Sequence, residues 1–370
     1  MGEPIFIGLM SGTSMDAVDA ALLGIGEKNC QLLATHSEPL SAEIRSAIDQ
    51  LCRPGNNEIQ RLARMDRRLG EIFAGAAQNL LRAAGKSAAA VSAIGSHGQT
   101  IRHHPPAAGE LAYTLQIADP NTIAELTGIT TIADFRRRDI AAGGEGAPLA
   151  PAFHAAAFGD PRVSRAIVNI GGIANVTLLN RGPLTGFDTG PGNTLMDAWI
   201  ALHLHRDFDE DGAWAAGGRI LEGLLEQLLL HEFLLKPAPK STGREQFNLS
   251  LLQNYPADEV EPQDIQATLA EFTAASIAMA IPGDIEEVYL CGGGASNSHL
   301  VSRLRAHLPG RPVEDTGVLG IGPGWVEAAA FAWLASKTLN HLAGNVSSVT
   351  GASRECILGG IYPAGREPAP

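Results

Sequence analysis

The chain has 370 residues, of which 45% are hydrophobic and 18% charged, enough apolar material for about two cored domains and too much for intrinsic disorder. With 27 basic and 40 acidic side chains the net charge is −13, which argues against nucleic acid and against an anionic membrane surface as partners. Four scattered cysteines lack any paired spacing, and the start MGEPIFIGLM is neither basic nor long in apolar residues, so a cytoplasmic protein with no membrane segment is expected.

In chain order, residues 5–10 form an apolar run ending in Ser-Gly-Thr-Ser, and Ala17–Ile25 returns directly after it, a strand, glycine turn and second strand. From 61 to 84, Leu62, Met65, Leu69, Ile72, Phe73, Ala76 and Leu80 recur at steps of three and four, which predicts an amphipathic helix. Residues 91–95 read as a strand opening into Ser96-His97-Gly98-Gln99-Thr100. Asn121 reads as the N-cap of a short helix through Leu126, and 129–135 as a further strand. Residues 141–151, AAGGEGAPLAP, carry no periodicity and mark a boundary or an active-site loop.

Beyond that loop the opening pattern returns: a strand at Arg165–Ile170, a turn at Gly171-Gly172, a strand at Ile173–Leu179. GFDTGPGN (186–193) leads into a helix from Thr194, with further helices near 218–235 and 263–281. A strand at 287–290 runs into Gly292-Gly293-Gly294, followed by helices at 297–308 and Val326–Leu339. This alternation predicts an α/β sheet protein. The expected division is 1–140, with 341–370 returning to it, against 141–340.

Three glycine loops therefore follow strand ends: Met10-Ser-Gly-Thr-Ser-Met-Asp16, Ile170-Gly-Gly-Ile173 and Cys291-Gly-Gly-Gly-Ala-Ser-Asn297. Glycine lets several backbone N–H groups converge on a phosphate. None of the loops fits GxxxxGK[ST] or the dinucleotide-binding GxGxxG, and HExxH and GxSxG are absent. A Walker-type NTPase is thereby excluded, and Rossmann oxidoreductases, zinc proteases and α/β-hydrolases lack support. Taken alone, two hairpins with glycine turns are only hairpins. With the third loop they resemble the phosphate-1, phosphate-2 and adenosine loops of the sugar kinase, heat-shock ATPase and actin superfamily. The segments IGLMSGTSMDAVDA (7–20), SHGQT (96–100), DFRRRDIAAGGEGAPL (134–149), VNIGGIANVT (168–177), GFDTGPGN (186–193), CGGGASN (291–297) and VEAAAFAWLA (326–335) resemble, in order and over nearly the whole chain, the anhydro-N-acetylmuramic acid kinase family. One departure is that Gly324-Trp325-Val326 stand where the family often carries an acidic residue, so only Glu327 is carried over there.

The resemblance implies an α/β, two-domain actin-like ATPase of ribonuclease H-like fold with a nucleotide cleft between the domains. The first domain would carry the first phosphate loop, and the second would carry the second phosphate loop, the catalytic aspartate and the adenosine loop. It also implies an enzyme of peptidoglycan recycling that uses ATP, Mg²⁺ and water to turn 1,6-anhydro-N-acetylmuramic acid into N-acetylmuramic acid 6-phosphate and ADP, working as a homodimer. Water adds to the anomeric carbon while the bridging oxygen, released as O6, attacks the γ-phosphate, which needs a base and charge stabilisers. The resemblance makes Asp188 that base; by its residues alone it is equally an Asx-turn aspartate. Glu327 opens an apolar helix, where it faces the helix dipole by itself and contacts sugar or water by resemblance.

Gly12, Thr13, Ser14, Met15, Asp16, Ala17, Val18 and Asp19 would form the first phosphate loop, with Asp16 or Asp19 as the Mg²⁺ candidate. Gly171 and Gly172 would form the second, and Gly292, Gly293, Gly294 and Asn297 would face adenosine. His97 and Gln99 are either structural or contacts to a sugar hydroxyl or lactyl group. Arg136 suits the lactyl carboxylate through its bidentate fork, and Asp139 is grouped with it as a substrate residue. Arg137 and Arg138 read as solvated or salt-bridged, His103 and His104 as loop residues. Two other readings are a nucleotide-gated binding protein of actin or chaperone type, against which SHGQT and DFRRRD count, and a kinase acting on a free hydroxyl.

Overall fold

The computed structural model describes residues 3–12, 14–26, 29–106, 110–180, 182–238, 240–253 and 255–365. Thr13, expected in the first phosphate loop, lies outside the described residues. The chain divides into two compact units, Met1–Phe158 with Trp325–Pro370, and Gly159–Gly324.

In the first unit β1 (Ile5–Ser11), β2 (Ala17–Ile25) and β3 (Cys30–Pro39) make an antiparallel meander. β4 (Val91–His104) lies parallel to β1 on its other side, and β5 (Tyr113–Ile117) pairs antiparallel with the far half of β4. β6 (Thr131–Ala133) runs parallel to β4. In the second unit β7 (Arg165–Ile170), β8 (Ile173–Leu179) and β9 (Thr185–Pro191) repeat the antiparallel meander. β10 (Glu287–Cys291) lies parallel to β7, and β11 (Val313–Asp315) parallel to β10. β12 (Gly360–Tyr362) returns to the first sheet, antiparallel to β6. The two sheets, β12-β6-β4-β1-β2-β3 and β11-β10-β7-β8-β9, thus share one strand order about their first strands. The hairpin repeated in the sequence is a repeated topology.

Strand periodicity explains how β1 is covered. Ile7 and Leu9 join Leu69, Phe73, Ala77 and Leu80 of the helix Glu58–Ala84 in one core. The alternate residue, Gly8, faces the helix Val326–Leu339, where a Cβ would overlap the carbonyl oxygen of Ala328. Gly95 is its register partner on β4, and a Cβ there would overlap the carbonyl oxygen of Phe331. Two paired glycines under an alanine-rich helix let the backbones meet.

This packing corrects the expected division: the last long helix belongs to the first unit, and the breaks fall at 158/159 and 324/325 instead of 140/141 and 340/341. The 141–151 loop is likewise interior to the first unit. Glu145 N–H donates to Thr350 O (2.8 Å), and Phe153 of the helix Ala150–Phe158 meets the Trp333 ring at 6.2 Å between centroids.

Other boundaries move for local reasons. β4 continues through Ser96–Thr100 to His104, so His103 and His104 lie on a strand and not in a loop. Asp119, not Asn121, caps the helix Pro120–Thr127, accepting from the N–H groups of Asn121 and Thr122 at 3.1 Å each. The expected 218–235 helix is two, Glu222–Leu229 and Glu232–Leu235, where His231 Nδ1 accepts from Phe233 N–H as the new cap. Phe233 and Phe247 share the core of the second unit with Leu269 and Phe272 of the helix Pro262–Met279. Each such side chain contributes about 1.5–3 kcal/mol on burial. Among the described residues no helix is long and apolar enough to cross a membrane.

Candidate active site

The predicted residues fall into two groups, one in each unit. In the first, β1 and β2 are joined by a turn closed by Met15 N–H donating to Gly12 O (3.2 Å), with Met15 in the left-handed region at φ 58°. A side chain there is strained, as backbone at functional turns often is. A Cβ on Gly12 would meet nothing within 4 Å, so the turn presents bare backbone to open space. Ser14 is exposed and Ala17 half-buried, whereas Val18 is fully buried in the core, which leaves it only a backbone to offer.

Gln99 props this turn from β4. Its Oε1 accepts the Ser11 hydroxyl at 2.7 Å, and its Nε2 donates to Gly12 O and Thr100 O at 3.3 Å each. At 1% exposure with both ends of its amide engaged, Gln99 holds the loop, which corrects its reading as a substrate contact. The two loop aspartates also separate. Asp16 is exposed beside Arg45 (3.6 Å), whereas Asp19 is half-buried and accepts the Ser37 hydroxyl at 2.8 Å. Burial raises the Asp19 carboxyl, Ser37 opposes that, and the Asp16 charge adds to it.

His97 and Arg136 form a buried couple. His97 gives its Nδ1–H to Gly98 O (2.9 Å), so Nε2 is free to accept from Arg136 Nε (3.1 Å) and Nη2 (2.9 Å). That arrangement requires a neutral imidazole. Burial, and then the Arg136 charge, hold His97 well below the usual histidine range. The Phe331 ring lies 4.7 Å from it. Arg136 Nη1 also donates to Gly146 O (2.9 Å); desolvation lowers the guanidinium to about 10, against support from Glu327 and Asp139.

Glu327 is exposed in the first turn of the helix Val326–Leu339. Desolvation raises its carboxyl, Arg136 opposes that, and Asp19 adds to it. Arg137 is salt-bridged to Asp134 at 3.4 Å, as expected. Asp139 departs from expectation. Fully buried, its Oδ1 accepts from Asn345 Nδ2 (2.6 Å) and the Thr350 hydroxyl (2.7 Å), and its Oδ2 from Gly146 N–H (2.8 Å). It fastens the 141–151 loop to the C-terminal segment and has no surface for a substrate.

In the second unit the Gly171-Gly172 turn between β7 and β8 is pinned by three amides. Gly192 and Thr194 donate to Gly172 O (2.9 and 3.1 Å), and Asn193 to Gly171 O (2.8 Å). In a trans peptide the N–H points opposite to the C=O, so the N–H groups of Gly172 and Ile173 turn away from 192–194. A Cβ on Gly192 would overlap the carbonyl oxygen of Gly171, which explains one glycine of GFDTGPGN.

Asp188 sits half-buried on β9, opposite Asn175. Its N–H donates to Lys240 O (3.1 Å), and its Oδ2 accepts from Thr242 N–H (2.9 Å) and the Ser241 hydroxyl (3.2 Å). These donors come from a distant segment, so the Asx-turn reading does not describe them. Lys240 Nζ donates to Phe233 O (3.2 Å) and Leu234 O (3.0 Å), 4.8 Å from the centre of the Phe233 ring. Desolvation lowers Lys240, and Asp188 opposes that. Two residues past Thr242, Arg244 reaches the glycine turn, where a Cβ on Gly172 would lie 3.1 Å from its Nη2 and 3.2 Å from its Nε. Sequence reasoning missed this 240–244 segment, KSTGR, which has no periodicity and whose signal is polar residues and a glycine inside a proline-rich stretch.

The third loop is tighter than expected. Gly292 has φ 79°, and a Cβ there would overlap Asn169 Oδ1; one on Gly294 would overlap the Ile170 side chain. Only Gly293 faces space, its nearest neighbour being Asn193 Nδ2 at 3.9 Å. Asn297 Oδ1 accepts Leu300 N–H (2.9 Å) and caps the helix Ser298–His307, so its acceptor serves the helix. Asn169 Oδ1, beside Gly292, is buried without a hydrogen-bond partner. Within the second unit, the orphaned acceptor of Asn169, the bare backbone at Gly293 and the cation at Gly172 fit a nucleotide.

A duplicated sheet of this order, with a glycine turn after the first strand of each copy and a third glycine loop after β10, is the fold of the sugar kinase, heat-shock protein and actin class. Within that class the chain belongs to the anhydro-N-acetylmuramic acid kinase family, which residues 4–364 match. It is 52% identical to the anhydro-N-acetylmuramic acid kinase of Shewanella halifaxensis (strain HAW-EB4), covering 98% of this chain and 100% of the relative. It is 49% identical to that of Saccharophagus degradans (strain 2-40), again covering 98% and 100%. Among solved structures, component A of (R)-2-hydroxyglutaryl-CoA dehydratase from Acidaminococcus fermentans is 13% identical, with 89% of this chain and 96% of that one covered at a TM-score of 0.48.

Proposed function

We propose that the protein is an ATP-dependent kinase that hydrolytically opens 1,6-anhydro-N-acetylmuramic acid and phosphorylates O6, in peptidoglycan recycling. Besides the family, the observation that carries this reading is the Asp188 carboxylate, gripped at Oδ2 by Thr242 and Ser241 on the unit that holds the Gly171-Gly172 turn. Asp188 takes the proton of the water that adds to the anomeric carbon; the bridging oxygen leaves as O6 and accepts the phosphoryl group. Such a base is worth roughly 10²–10⁴ in rate.

Bound ATP supplies the phosphoryl group, and Mg²⁺ neutralises charge on it. Asp19 is the better Mg²⁺ candidate, because Asp16 is already beside Arg45. Arg136 gives three of its five N–H groups to His97 and Gly146 O, and the others suit the lactyl carboxylate. Glu327, coupled to the same guanidinium, contacts sugar or water. The free cysteines support a cytoplasmic setting, and the family resemblance supports a homodimer.

Coupled ADP release with ATP and either the anhydro sugar or free N-acetylmuramic acid tests this. Turnover is expected with the anhydro sugar alone, with oxygen from ¹⁸O-labelled water on the anomeric carbon. Turnover with the free sugar makes the protein an ordinary hydroxyl kinase, whereas label in released inorganic phosphate makes it an ATPase that transfers nothing to the sugar. ATP binding with no sugar-dependent ADP release makes it a nucleotide-gated binder.

A further inference from the structure

We infer that Arg244 is a catalytic residue of phosphoryl transfer, meeting the terminal phosphate of the nucleotide at the Gly171-Gly172 turn. The inference rests on the reading of that turn as a phosphate loop. The chain lacks the lysine of a Walker loop, so the charge that spreads over the transferring group needs another cation. Two cations stand on the 240–244 segment. Lys240 is committed to Phe233 O and Leu234 O above the Phe233 ring. Arg244 is exposed and lies against Gly172, on a turn whose carbonyls are drawn off by the amides of 192–194. A guanidinium can take two phosphate oxygens at once, which an ammonium cannot. A bulky side chain at 172 would displace the guanidinium, since even a Cβ there would lie 3.1 Å from Nη2 and 3.2 Å from Nε.

The link to Asp188 strengthens the case. Thr242 N–H and the Ser241 hydroxyl bind the Asp188 carboxylate, so one short segment sets both the base and the cation. Coupled ring opening and phosphoryl transfer need those two groups in a fixed relation.

The test uses the full chain and two nucleotides, ADP and a non-hydrolysable ATP analogue, titrated by calorimetry alongside turnover. Arg244→Gln is expected to weaken the analogue at least about tenfold, the loss of a hydrogen bond to a charged group. ADP affinity should stay near wild type, while kcat falls roughly 10²–10³-fold. Arg244→Lys should recover part of both, and it serves as the probe if the Gln variant melts early. Equal weakening of ADP and analogue, or no change in either, overturns the inference. So does a shifted acid limb of the kcat–pH profile with unchanged nucleotide discrimination, which would mean that Arg244 acts only on Asp188. Gly172→Val separates the two levels. If it leaves nucleotide binding intact, the phosphate-loop reading fails; if it abolishes binding while Arg244→Gln does nothing, only the arginine inference fails.

Discussion

Asp139 and Asp188 are two aspartates in glycine-rich surroundings, one in each unit, and both are held by hydrogen bonds from distant parts of the chain. Asp139 is fully buried, with three donors divided over both oxygens. Asp188 is half-buried on β9, with the two donors from 241 and 242 gathered on Oδ2. The difference teaches how a carboxylate built to hold differs from one built to react. A holding group is fully enclosed, whereas a base keeps access to solvent.

The largest effect expected from this contrast is on turnover. Asp188→Asn keeps size and some hydrogen bonding but cannot take a proton, so kcat should fall roughly 10²–10⁴-fold while binding of ATP and sugar survives. Its thermal midpoint should move by no more than a few degrees, because the site is partly exposed. Steady-state kinetics and a thermal melt check both. Asp139→Ala should do the reverse, removing about 3–5 kcal/mol of stability in urea unfolding, since Asn345, Thr350 and Gly146 lose a shared buried acceptor. An Asp139 variant of unchanged stability would erase the contrast.

A smaller effect concerns pH. Burial keeps His97 and His154 neutral in the folded first unit, lowering His154 to about 3. Unfolded histidines take up a proton near pH 6.5, so below that value the unfolded chain binds more protons than the folded one. Stability should therefore fall as the pH drops from 7 to 5, by up to roughly 2.7 kcal/mol per unit for the pair. Urea midpoints that stay flat over this range would mean that neither ring is held neutral in the folded chain.

Much of this was legible in the sequence, and what was not has a common cause. The two hairpins, the glycine loops and the helix Val326–Leu339 are local patterns of spacing, and the structure has them where expected. Which sheet that helix covers depends on Gly8 and Gly95, which become neighbours only when β1 pairs with β4. The family resemblance made Asp139 and Gln99 expected substrate residues and Asn297 an expected neighbour of adenosine. Their partners, Asn345 and Thr350 for the first and Ser11 for the second, lie far along the chain, and Asn297 turns out to cap its own helix. The 240–244 segment was invisible for the converse reason. It has no pattern of its own and acquires a role only by folding onto Asp188 and Gly172.

The central claim, that Asp188 activates the water that opens the ring, is tested most directly by restoring the base from solution. Asp188→Ala should be almost inactive with ATP and the anhydro sugar, and added formate should recover turnover in proportion to its concentration. The product should then carry ¹⁸O from labelled water on the anomeric carbon. If formate restores nothing while nucleotide and sugar still bind, Asp188 only shapes the loop, the water is activated elsewhere, and the account is contradicted.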